Sequence, residues 1–363
     1  MGLFSKKVSC IGLDIGEHLI KIMEIRKTGQ GYEVVGFGIV PTPPGLIEGS
    51  AIVNEQGVVA ALQNLVGSIS NGSANVAMAV SGDHVIVRNL VVPVMPDDEL
   101  AEAIRYEAEA LLPISISDVT IDFVKYDITE DASGRLQEIL VVAVKNEAID
   151  RLVRIGAAVG LEPTIMDIEP LVLLRAIRKL DRAAISRDEN CAIVNIGSSS
   201  TNISVFKHGQ LSFTRTLVIG GHRLSLSLVN QGHMSMEEAE AAKRLMSLQE
   251  ESDPGKPAGP NDQTTEILIP LIDELVTEIS RSLEYYMAQH REQEIAQVFI
   301  TGGGIRLKGL APYINRRLGM TVRVFDPTDY LQLKNDVQST AKEFQEAGSA
   351  LTQVVGLALS EVD

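Results

Sequence analysis

Two segments of the chain place an acid or an amide shortly before a glycine, at the point where an apolar run ends. The first is Asp14-Ile-Gly16 and the second is Asn195-Ile-Gly197, and the two copies are 181 positions apart (195 − 14). A second alternating run follows each glycine, so each copy predicts a strand–turn–strand hairpin. A carboxylate at the end of a strand, such as that of Asp14, suits a magnesium ion that bridges phosphate groups.

The turn of each hairpin has the composition of an anion-binding loop. Glycine lets the backbone turn tightly and approach a ligand closely, and the exposed N–H groups of such a turn form a concavity that binds anions. In the second copy the turn continues as Ser198-Ser199-Ser200-Thr201. One such hairpin would be an ordinary turn. Two copies that each open a domain-sized segment predict two related lobes that close on one nucleotide.

A run of three glycines, Gly302-Gly303-Gly304, follows the apolar strand pattern at 297–301. Glycines in this position let the backbone pass closely under a flat base or a ribose. A flexible loop is the alternative. The strand before the glycines and the helix predicted from Ala311 favour the close approach.

The segment 235–244 predicts a helix that begins with a capping box formed by Ser235 and Glu238. Glu240 and Lys243 lie on one face of this helix, at positions i and i+3. A solvated ion pair is the first interpretation of such a pair, and contact with a bound ligand is the second.

Glu169 and Pro170 open a predicted helix that extends to Leu180. Proline is common in the first helical turn, and an acid at that point commonly interacts with the helix dipole. The functional alternative is that Glu169 orients a water molecule toward a γ-phosphate.

The overall composition restricts the class of function. The 363 residues carry a net charge of −16, and the isoelectric point is about 4.9. This charge argues against nucleic acid as a partner, because phosphate groups are neutralised by clustered Lys and Arg. No apolar run approaches the roughly 20 residues that span a bilayer. Cys10 and Cys191 lack metal-site spacing, so buried, reduced thiols in a reducing cytoplasm are expected.

Taken in order, these motifs resemble those of the superfamily of actin, FtsA, MreB and the heat-shock chaperones. The first hairpin, with Lys21, resembles the first phosphate motif, and the second hairpin resembles the second. The segment 169–170 resembles the connecting motif that holds the catalytic acid or amide. The helix with Glu240 and Lys243 resembles the one that contacts ribose and base, and 302–304 resembles the adenosine motif.

Within this superfamily the chain resembles the PilM family of type IV pilus assembly, through the blocks at 93–113, 143–145 and 160–169. The resemblance implies an α/β protein with the two-lobed actin-like (ribonuclease-H-like) ATPase fold and an inserted FtsA-type extra subdomain. The expected boundaries are a first lobe at 1–87, 168–185 and 339–363, an inserted subdomain at 88–167, and a second lobe at 190–338 with an outer helical part at about 223–296.

The resemblance also implies that ATP and Mg2+ bind between the lobes. Asp14 is the implied magnesium ligand, through the nucleotide, and Glu169 is the implied catalytic residue. The implied cofactor-binding residues are Asp14, Gly16, Lys21, Asn195, Gly197, Ser198, Ser199, Ser200, Thr201, Glu240, Lys243, Gly302, Gly303 and Gly304.

The partners implied by the resemblance belong to the pilus machinery. The family captures the cytoplasmic N-terminal peptide of PilN, a membrane protein, in a groove between the first lobe and the inserted subdomain. Pilus inner-membrane platform proteins and assembly ATPases are further implied partners, and self-association is left open. The expected location is the cytoplasm, peripheral to the inner membrane, with membrane contact only through partners.

Two departures from the superfamily pattern bear on catalysis. Asn195 stands where the second phosphate motif usually has Asp, so one magnesium-linked carboxylate is lost. Glu17 and His18 stand where the first turn usually has small hydroxyl residues, and a carboxylate there repels phosphate unless it points away. We therefore expect ATP binding with slow or absent hydrolysis.

Three alternative functions are an FtsA-like cell-division filament protein, a small-molecule kinase of the same superfamily and a cytoplasmic component of a type II secretion platform. FtsA carries a C-terminal linker and a basic amphipathic helix, whereas this chain ends in an acidic segment, 360–363. A kinase would need a catalytic base and a sugar-binding cleft, for which we find no clear signature. A type II secretion platform component usually carries a transmembrane segment, which no apolar run supplies.

Two segments predict irregular structure. The stretch 253–260 contains three prolines and two glycines and predicts a loop. The N-terminal segment 1–7 predicts either a frayed terminus or a contact with a membrane or a partner.

Overall fold

The computed structural model describes most of the chain. The described residues are 10–67, 69, 74–131, 134–186, 189–248, 262–289, 294–305 and 307–362. The N-terminal segment 1–7 and the predicted loop 253–260 lie outside the described residues.

Strands and helices alternate along the described residues. The strands are β1 (Ile11–Ile15), β2 (Leu19–Thr28), β3 (Gly31–Pro41), β4 (Ile47–Glu48), β5 (Ala51–Ile52), β6 (Asn75–Val80), β7 (Val85–Pro93), β8 (Val119–Asp131), β9 (Gly134–Lys145), β10 (Glu162–Ile168), β11 (Asn190–Ile196), β12 (Thr201–Lys207), β13 (Gln210–Leu217), β14 (Ile295–Thr301), β15 (Val322–Val324) and β16 (Leu331–Leu333). The α-helices are α1 (Glu55–Val66), α2 (Asp97–Leu111), α3 (Asn146–Ala158), α4 (Glu169–Leu180), α5 (Gly221–Gly232), α6 (Met236–Leu245), α7 (Asp262–Gln289), α8 (Leu310–Leu318), α9 (Ala341–Ala347) and α10 (Thr352–Ala358).

The two largest sheets share one local topology. The first has the order β10-β6-β1-β2-β3-β16, and the second has the order β13-β12-β11-β14-β15. In each, an antiparallel hairpin (β1–β2 or β11–β12) lies beside a parallel strand (β6 or β14). Both predicted hairpins are therefore confirmed, and they occupy equivalent positions in two related sheets.

The central strand of the first sheet is buried, and a helix crosses it closely. The first four residues of β1 are buried. A Cβ atom on Gly12 would lie 2.4 Å from the carbonyl oxygen of Val354 in α10. Because only glycine permits this approach, α10 can pack directly on the strand that carries Asp14. The same helix packs against α4, which begins at Glu169.

Behind the second sheet lies a separate apolar core, formed with helices α5 to α8. Helix α6 begins with the predicted capping box. The Ser235 hydroxyl accepts a hydrogen bond from the N–H of Glu238, and the Glu238 carboxylate accepts one from the N–H of Ser235. This start sets the helical phase that turns Glu240 and Lys243 inward. Of the described helices, none has both the length and the apolar composition needed to cross a membrane.

The inserted subdomain is a three-stranded sheet in the order β7-β9-β8, with α2 packed on one face. The range expected from the sequence, 88–167, also contains α3 and β10. Strand β10 instead pairs in parallel with β6 in the first sheet, and α3 packs against both. We therefore correct the range of the inserted subdomain to about 85–145, because the backbone hydrogen bonds of β10 are made within the first sheet.

A second correction concerns the end of the second lobe, expected at residue 338. Strand β16 pairs in parallel with β3 at the edge of the first sheet. The chain has therefore returned to the first lobe by Leu331, before the helices at its C-terminal end.

Candidate functional site

A cleft of about 530 Å³ opens between the two lobes. Five separate segments of the chain contribute predicted residues to its wall. The predicted residues that line the cleft are Asp14, Gly16, Lys21, Glu169, Asn195, Gly197, Ser198, Ser199, Ser200, Glu240, Lys243, Gly302, Gly303 and Gly304. The topology thus brings together nearly all of the residues that the sequence singled out.

The two hairpin turns close in the same way. The N–H of Gly16 donates to the carbonyl oxygen of Leu19 at 3.1 Å, and the N–H of Gly197 donates to that of Ser200 at 2.8 Å. The repeat in the sequence is therefore a structural repeat, which extends to the hydrogen bond that closes each turn. Both turns face the same cleft.

Thr201 is the predicted residue that does not line the cleft. It is fully buried, and its hydroxyl donates to the carbonyl oxygen of Ile219 at 2.7 Å. Because successive side chains of a strand point to opposite faces, its neighbour Asn202 reaches the cleft instead. The side chain of Thr201 thus makes a structural contact, and its implied cofactor-binding role stays a prediction.

Asp14 and Lys21 form a buried ion pair at the base of the cleft. They lie opposite each other in the β1–β2 register, and the Lys21 Nζ is 2.6 Å from the Asp14 Oδ2. The Asp14 Oδ1 accepts a hydrogen bond from the Nε2 of Gln353 at 3.2 Å. The carboxylate is therefore fixed in orientation, with a cation beside it.

Glu169 is held by two carboxamides from the second lobe. Its Oε1 accepts from the Nδ2 of Asn195 at 2.9 Å, and its Oε2 accepts from the Nδ2 of Asn202 at 3.0 Å. The hydroxyl of Thr216 donates to the Oδ1 of Asn202 at 2.7 Å and fixes that amide. An Asp in place of Asn195 would bring its carboxylate within hydrogen-bond distance of the Glu169 carboxylate, and the two would repel each other. The amide of Asn195 instead donates a hydrogen bond to Glu169.

Burial raises the pKa of Glu169 to about 7. The hydrogen bonds from Asn195 and Asn202 oppose this shift, the nearby Asp14 adds to it, and Lys21 reduces it. A pKa near neutrality suits proton transfer. Since both oxygens already accept amide hydrogen bonds, the carboxylate is immobilised and orients water only through its remaining lone pairs.

Glu240 and Lys243 form part of the cleft wall rather than a fully solvated surface pair. The Lys243 Nζ lies 2.9 Å from the Glu240 Oε1, and it also donates to the Ser225 hydroxyl at 2.6 Å and to the carbonyl oxygen of Gly221 at 2.9 Å. Burial raises the pKa of Glu240, but the hydrogen bonds from Ser225 and Lys243 outweigh it and leave the pKa below its ordinary value.

The three glycines differ in what they approach. Gly302 has a φ of +98°, and a Cβ atom there would lie 2.4 Å from the Asn195 Oδ1. A Cβ atom on Gly304 would lie 2.5 Å from the Ile196 side chain, whereas one on Gly303 would meet nothing closer than 3.6 Å. The loop therefore packs tightly on β11 through Gly302 and Gly304, and Gly303 leaves open space above it.

Several lining residues were not predicted as site residues. They include His18, Asn202, His222, Arg244 and Gln353. Desolvation lowers the pKa of His18; Glu240 opposes this, and Lys243 and His222 add to it. The alternation along β12 could have identified Asn202, and Arg244 directly follows Lys243. Gln353 carried no local signal, because its role depends on α10 returning to β1.

Glu17, the acid that departs from the superfamily pattern, is oriented toward the β4–β5 turn. The N–H of Gly49 donates to its Oε1 at 3.4 Å. This contact would hold the carboxylate away from a phosphate group at the first turn, where the two charges would otherwise repel each other.

The residues of the cleft fit a magnesium ion that arrives with a nucleotide. Within the described ranges, no group of three or more His, Cys, Asp or Glu side chains could hold a metal ion by itself. Asp14 would supply one carboxylate to such an ion, and phosphate oxygens and water commonly complete the coordination of Mg2+. When bound, the ion would neutralise phosphate charge.

Comparison with known proteins identifies a matching family and structures with the same fold. A family model described as type IV pilus assembly protein PilM matches residues 12–362. A solved structure described as a PilM-PilN type IV pilus biogenesis complex superposes with a TM-score of 0.82 at 25% identity, covering 98% of this chain and 99% of that chain. MreB 5 of Spiroplasma citri bound to AMPPNP superposes with a TM-score of 0.54 at 13% identity, covering 94% of this chain and 97% of that chain. The last likeness shows the actin-like ATPase fold alone.

Two sequence relatives match shorter stretches of the chain. The cell division protein FtsA of Bacillus subtilis is 25% identical over 260 residues, which are 65% of this chain and 57% of that protein. The ethanolamine utilization protein EutJ of Escherichia coli is 24% identical over 129 residues, or 36% of this chain and 39% of that protein. The chain thus matches less than two thirds of the length of these relatives.

The family match covers nearly the whole chain, and the two-lobed fold with its inserted three-stranded subdomain agrees with the full-length structural match. This chain belongs to the PilM family of type IV pilus assembly proteins.

Proposed function

We propose that the protein is a nucleotide-binding platform of type IV pilus assembly that binds Mg-ATP between its lobes. The observation that carries this proposal is the pair of equivalent hairpin turns that face one cleft, with the buried Asp14–Lys21 pair at its base. The glycine loop at 302–304 and the Lys243 wall lie around the same space. MreB 5, which shares the fold, is a protein bound to AMPPNP.

Nucleotide in this cleft acts mainly by holding the lobes together. Phosphate groups at the two turns would contact the first lobe through 14–21 and the second lobe through 197–200. A ligand that contacts both lobes favours the closed arrangement over the open one, and this difference in affinity shifts the population without hydrolysis.

Hydrolysis is slow or absent in this proposal. Glu169 is the candidate catalytic group, but both of its oxygens are held by Asn195 and Asn202. With Asn195 in place of an acid, Asp14 is the carboxylate left to hold a nucleotide-borne magnesium. ATP then serves as a conformational ligand more than as a substrate.

The proposed partner is the cytoplasmic N-terminal peptide of PilN. The structure that matches along the whole chain is described as a PilM-PilN complex. Other platform proteins and the assembly ATPases are proposed as further contacts. The protein would then lie at the cytoplasmic face of the inner membrane and reach the membrane through these partners.

Calorimetric titration of the purified protein with Mg-ATP, with and without a synthetic PilN N-terminal peptide, tests this function. Binding of both ligands is expected, with each tightening the other. Peptide binding without any ATP binding would indicate a scaffold that has lost its nucleotide site. If neither ligand bound, the proposed function would be rejected.

A further inference from the structure

A buried group of hydroxyl side chains joins the two lobes beside the glycine loop at 302–304. Thr301 ends β14 in the second lobe, whereas Ser349 lies in the turn before α10 and Thr352 is the first residue of α10 in the first lobe. These three side chains, which we call the hydroxyl cluster, are all buried. The Oγ1 atoms of Thr301 and Thr352 are 2.6 Å apart, and the Thr301 hydroxyl donates to the carbonyl oxygen of Ser349 at 3.1 Å.

The hydroxyl cluster fastens the glycine loop to the first lobe. The Ser349 hydroxyl donates to the carbonyl oxygen of Gly302 at 3.0 Å, and the N–H of Gly302 donates to the carbonyl oxygen of Ser349 at 3.3 Å. Breaking such buried hydrogen bonds is costly, because each one that is lost leaves polar atoms without partners. The glycine loop and the start of α10 therefore hold each other in position, although they belong to different lobes.

The next residue of α10, Gln353, extends this connection to Asp14. The Gln353 Nε2 donates to the Asp14 Oδ1 at 3.2 Å, and the Lys21 Nζ lies 2.6 Å from the other oxygen, Oδ2. Gln353 is half-buried on the wall of the cleft. The orientation of the Asp14 carboxylate thus depends on the position of α10, through an amide that brings no charge of its own.

The two ends of the proposed nucleotide site are therefore connected through the protein itself. At one end is the glycine loop, the proposed contact of the nucleoside, and at the other is Asp14, the proposed magnesium ligand. Hydrogen-bonded side chains on a rigid helix are the kind of contiguous network that carries coupling between two sites. A nucleoside that fixed the glycine loop would also fix α10 and favour one orientation of the Asp14 carboxylate.

We propose that Gln353 is a positioning residue that couples the nucleoside end of the cleft to its magnesium end. The hydroxyl cluster sets the position of α10 against the glycine loop, and Gln353 holds the Asp14 carboxylate in the orientation that suits magnesium. This inference rests on the proposed function and concerns the regulation of the same site. By linkage, magnesium strengthens the contact with the nucleoside by the same factor by which the nucleoside strengthens the binding of magnesium.

The measured quantity is the magnesium enhancement, the ratio of the affinities for ATP with Mg2+ and with EDTA, obtained by calorimetry on the full chain. Gln353→Met keeps the length of the side chain and removes its hydrogen bond. Its control is Gln338→Met, at a glutamine whose amide donates to a backbone carbonyl oxygen elsewhere in the first lobe.

A second pair of variants tests the hydroxyl cluster. Thr352→Val keeps the shape of the side chain and removes its hydroxyl group. Thr340→Val is its control, at a threonine whose hydroxyl donates to a nearby carbonyl oxygen. Thermal unfolding of each variant checks that it is folded, and the two pairs test the connection at separate points.

Gln353→Met is expected to lower the magnesium enhancement about tenfold, the usual effect of losing a hydrogen bond to a charged group. Its affinity for ATP in EDTA should equal that of the unmodified protein, whereas a merely structural role would weaken binding equally with and without magnesium. Thr352→Val contacts neither ligand in this proposal, yet it should lower the enhancement about fivefold through the loss of a neutral hydrogen bond. Both controls should keep the enhancement of the unmodified protein.

An unchanged enhancement in Gln353→Met or in Thr352→Val would overturn the inference and leave the proposed function standing. Equal losses of affinity with Mg2+ and with EDTA would overturn it in the same way. If Mg-ATP did not bind to the unmodified protein, the inference and the nucleotide-binding part of the proposed function would both be overturned.

Discussion

Glu169→Gln is expected to remove a pH dependence from the stability of this protein. The pKa of Glu169 is raised by burial from 4.5 to about 7 in the folded chain. The folded state therefore binds the proton more tightly than the unfolded state does. As a result, the free energy of unfolding falls as the pH rises from the unfolded pKa to the folded pKa, and it is level above that.

The size of the effect follows from the shift. At about 1.4 kcal/mol per pKa unit, the full change is roughly 3 kcal/mol, and about 2.5 kcal/mol of it falls between pH 5 and pH 8. Glutamine has no charge to desolvate, so the variant loses this part of the pH dependence. Among the described residues no donor pairs with the Oδ1 of Asn195, whereas the Oδ1 of Asn202 accepts from Thr216. We therefore expect Asn195 to rotate and accept from the new amide, a cost that does not depend on pH.

Urea unfolding at pH 5 and pH 8, without nucleotide, measures the effect as a difference between the two proteins. Other titrating groups contribute equally to both and cancel. The stability of Glu169→Gln relative to the unmodified protein should increase by about 2.5 kcal/mol between the two pH values. Parallel pH profiles would show that Glu169 titrates at its ordinary pKa and would refute this account of its burial.

Three further predictions concern the site and its supports. Asp14→Ala should abolish Mg-ATP binding in calorimetry, and it should lower the free energy of unfolding by about 3 kcal/mol because it leaves Lys21 buried without its partner. Adding Lys21→Met to the same chain should recover the stability but not the binding. ATP binding by either variant would contradict the placement of the site. Gly302→Ala should lower the free energy of unfolding by about 2 kcal/mol, because its Cβ would collide with a neighbouring amide at a positive φ. The control Gly319→Ala is also at a positive φ but in open space, so it should lower the free energy of unfolding by only about 1 kcal/mol. Equal losses in the two variants would argue against the collision. Ser235→Ala should lower the free energy of unfolding by about 1 kcal/mol in urea through loss of the capping box, and an unchanged value would mean that the cap does not stabilise α6.

The local sequence pattern was sufficient to predict structure wherever the interacting residues are close in sequence. The alternation on either side of Gly16 and Gly197 predicted both hairpins, since a short turn largely determines how two adjacent strands pair. The capping box of Ser235 follows from residues three positions apart. The fold class came from the order of these motifs along the chain, compared with a known superfamily.

Long-range pairing was decided by the tertiary structure. Strand β10 joins the first sheet through β6, and β16 joins it through β3. The sequence of a strand does not indicate which distant strand it pairs with, because the backbone hydrogen bonds between strands are the same for nearly every residue type. The inserted subdomain therefore ends at about residue 145 rather than 167, and the chain returns to the first lobe by Leu331 rather than after residue 338.

The chemistry of the site depended on the tertiary structure in the same way. The sequence by itself determined which residues carry chemical groups: Asp14 and Lys21 on one hairpin, Asn195 on the other, and Glu169 at a helix start. The neighbours of Glu169 come from 26 and 33 positions along the chain, and only the packing of the lobes brings them within hydrogen-bond distance. Because a pKa is set by burial and by nearby charges, the near-neutral pKa of Glu169 exists only in the folded protein.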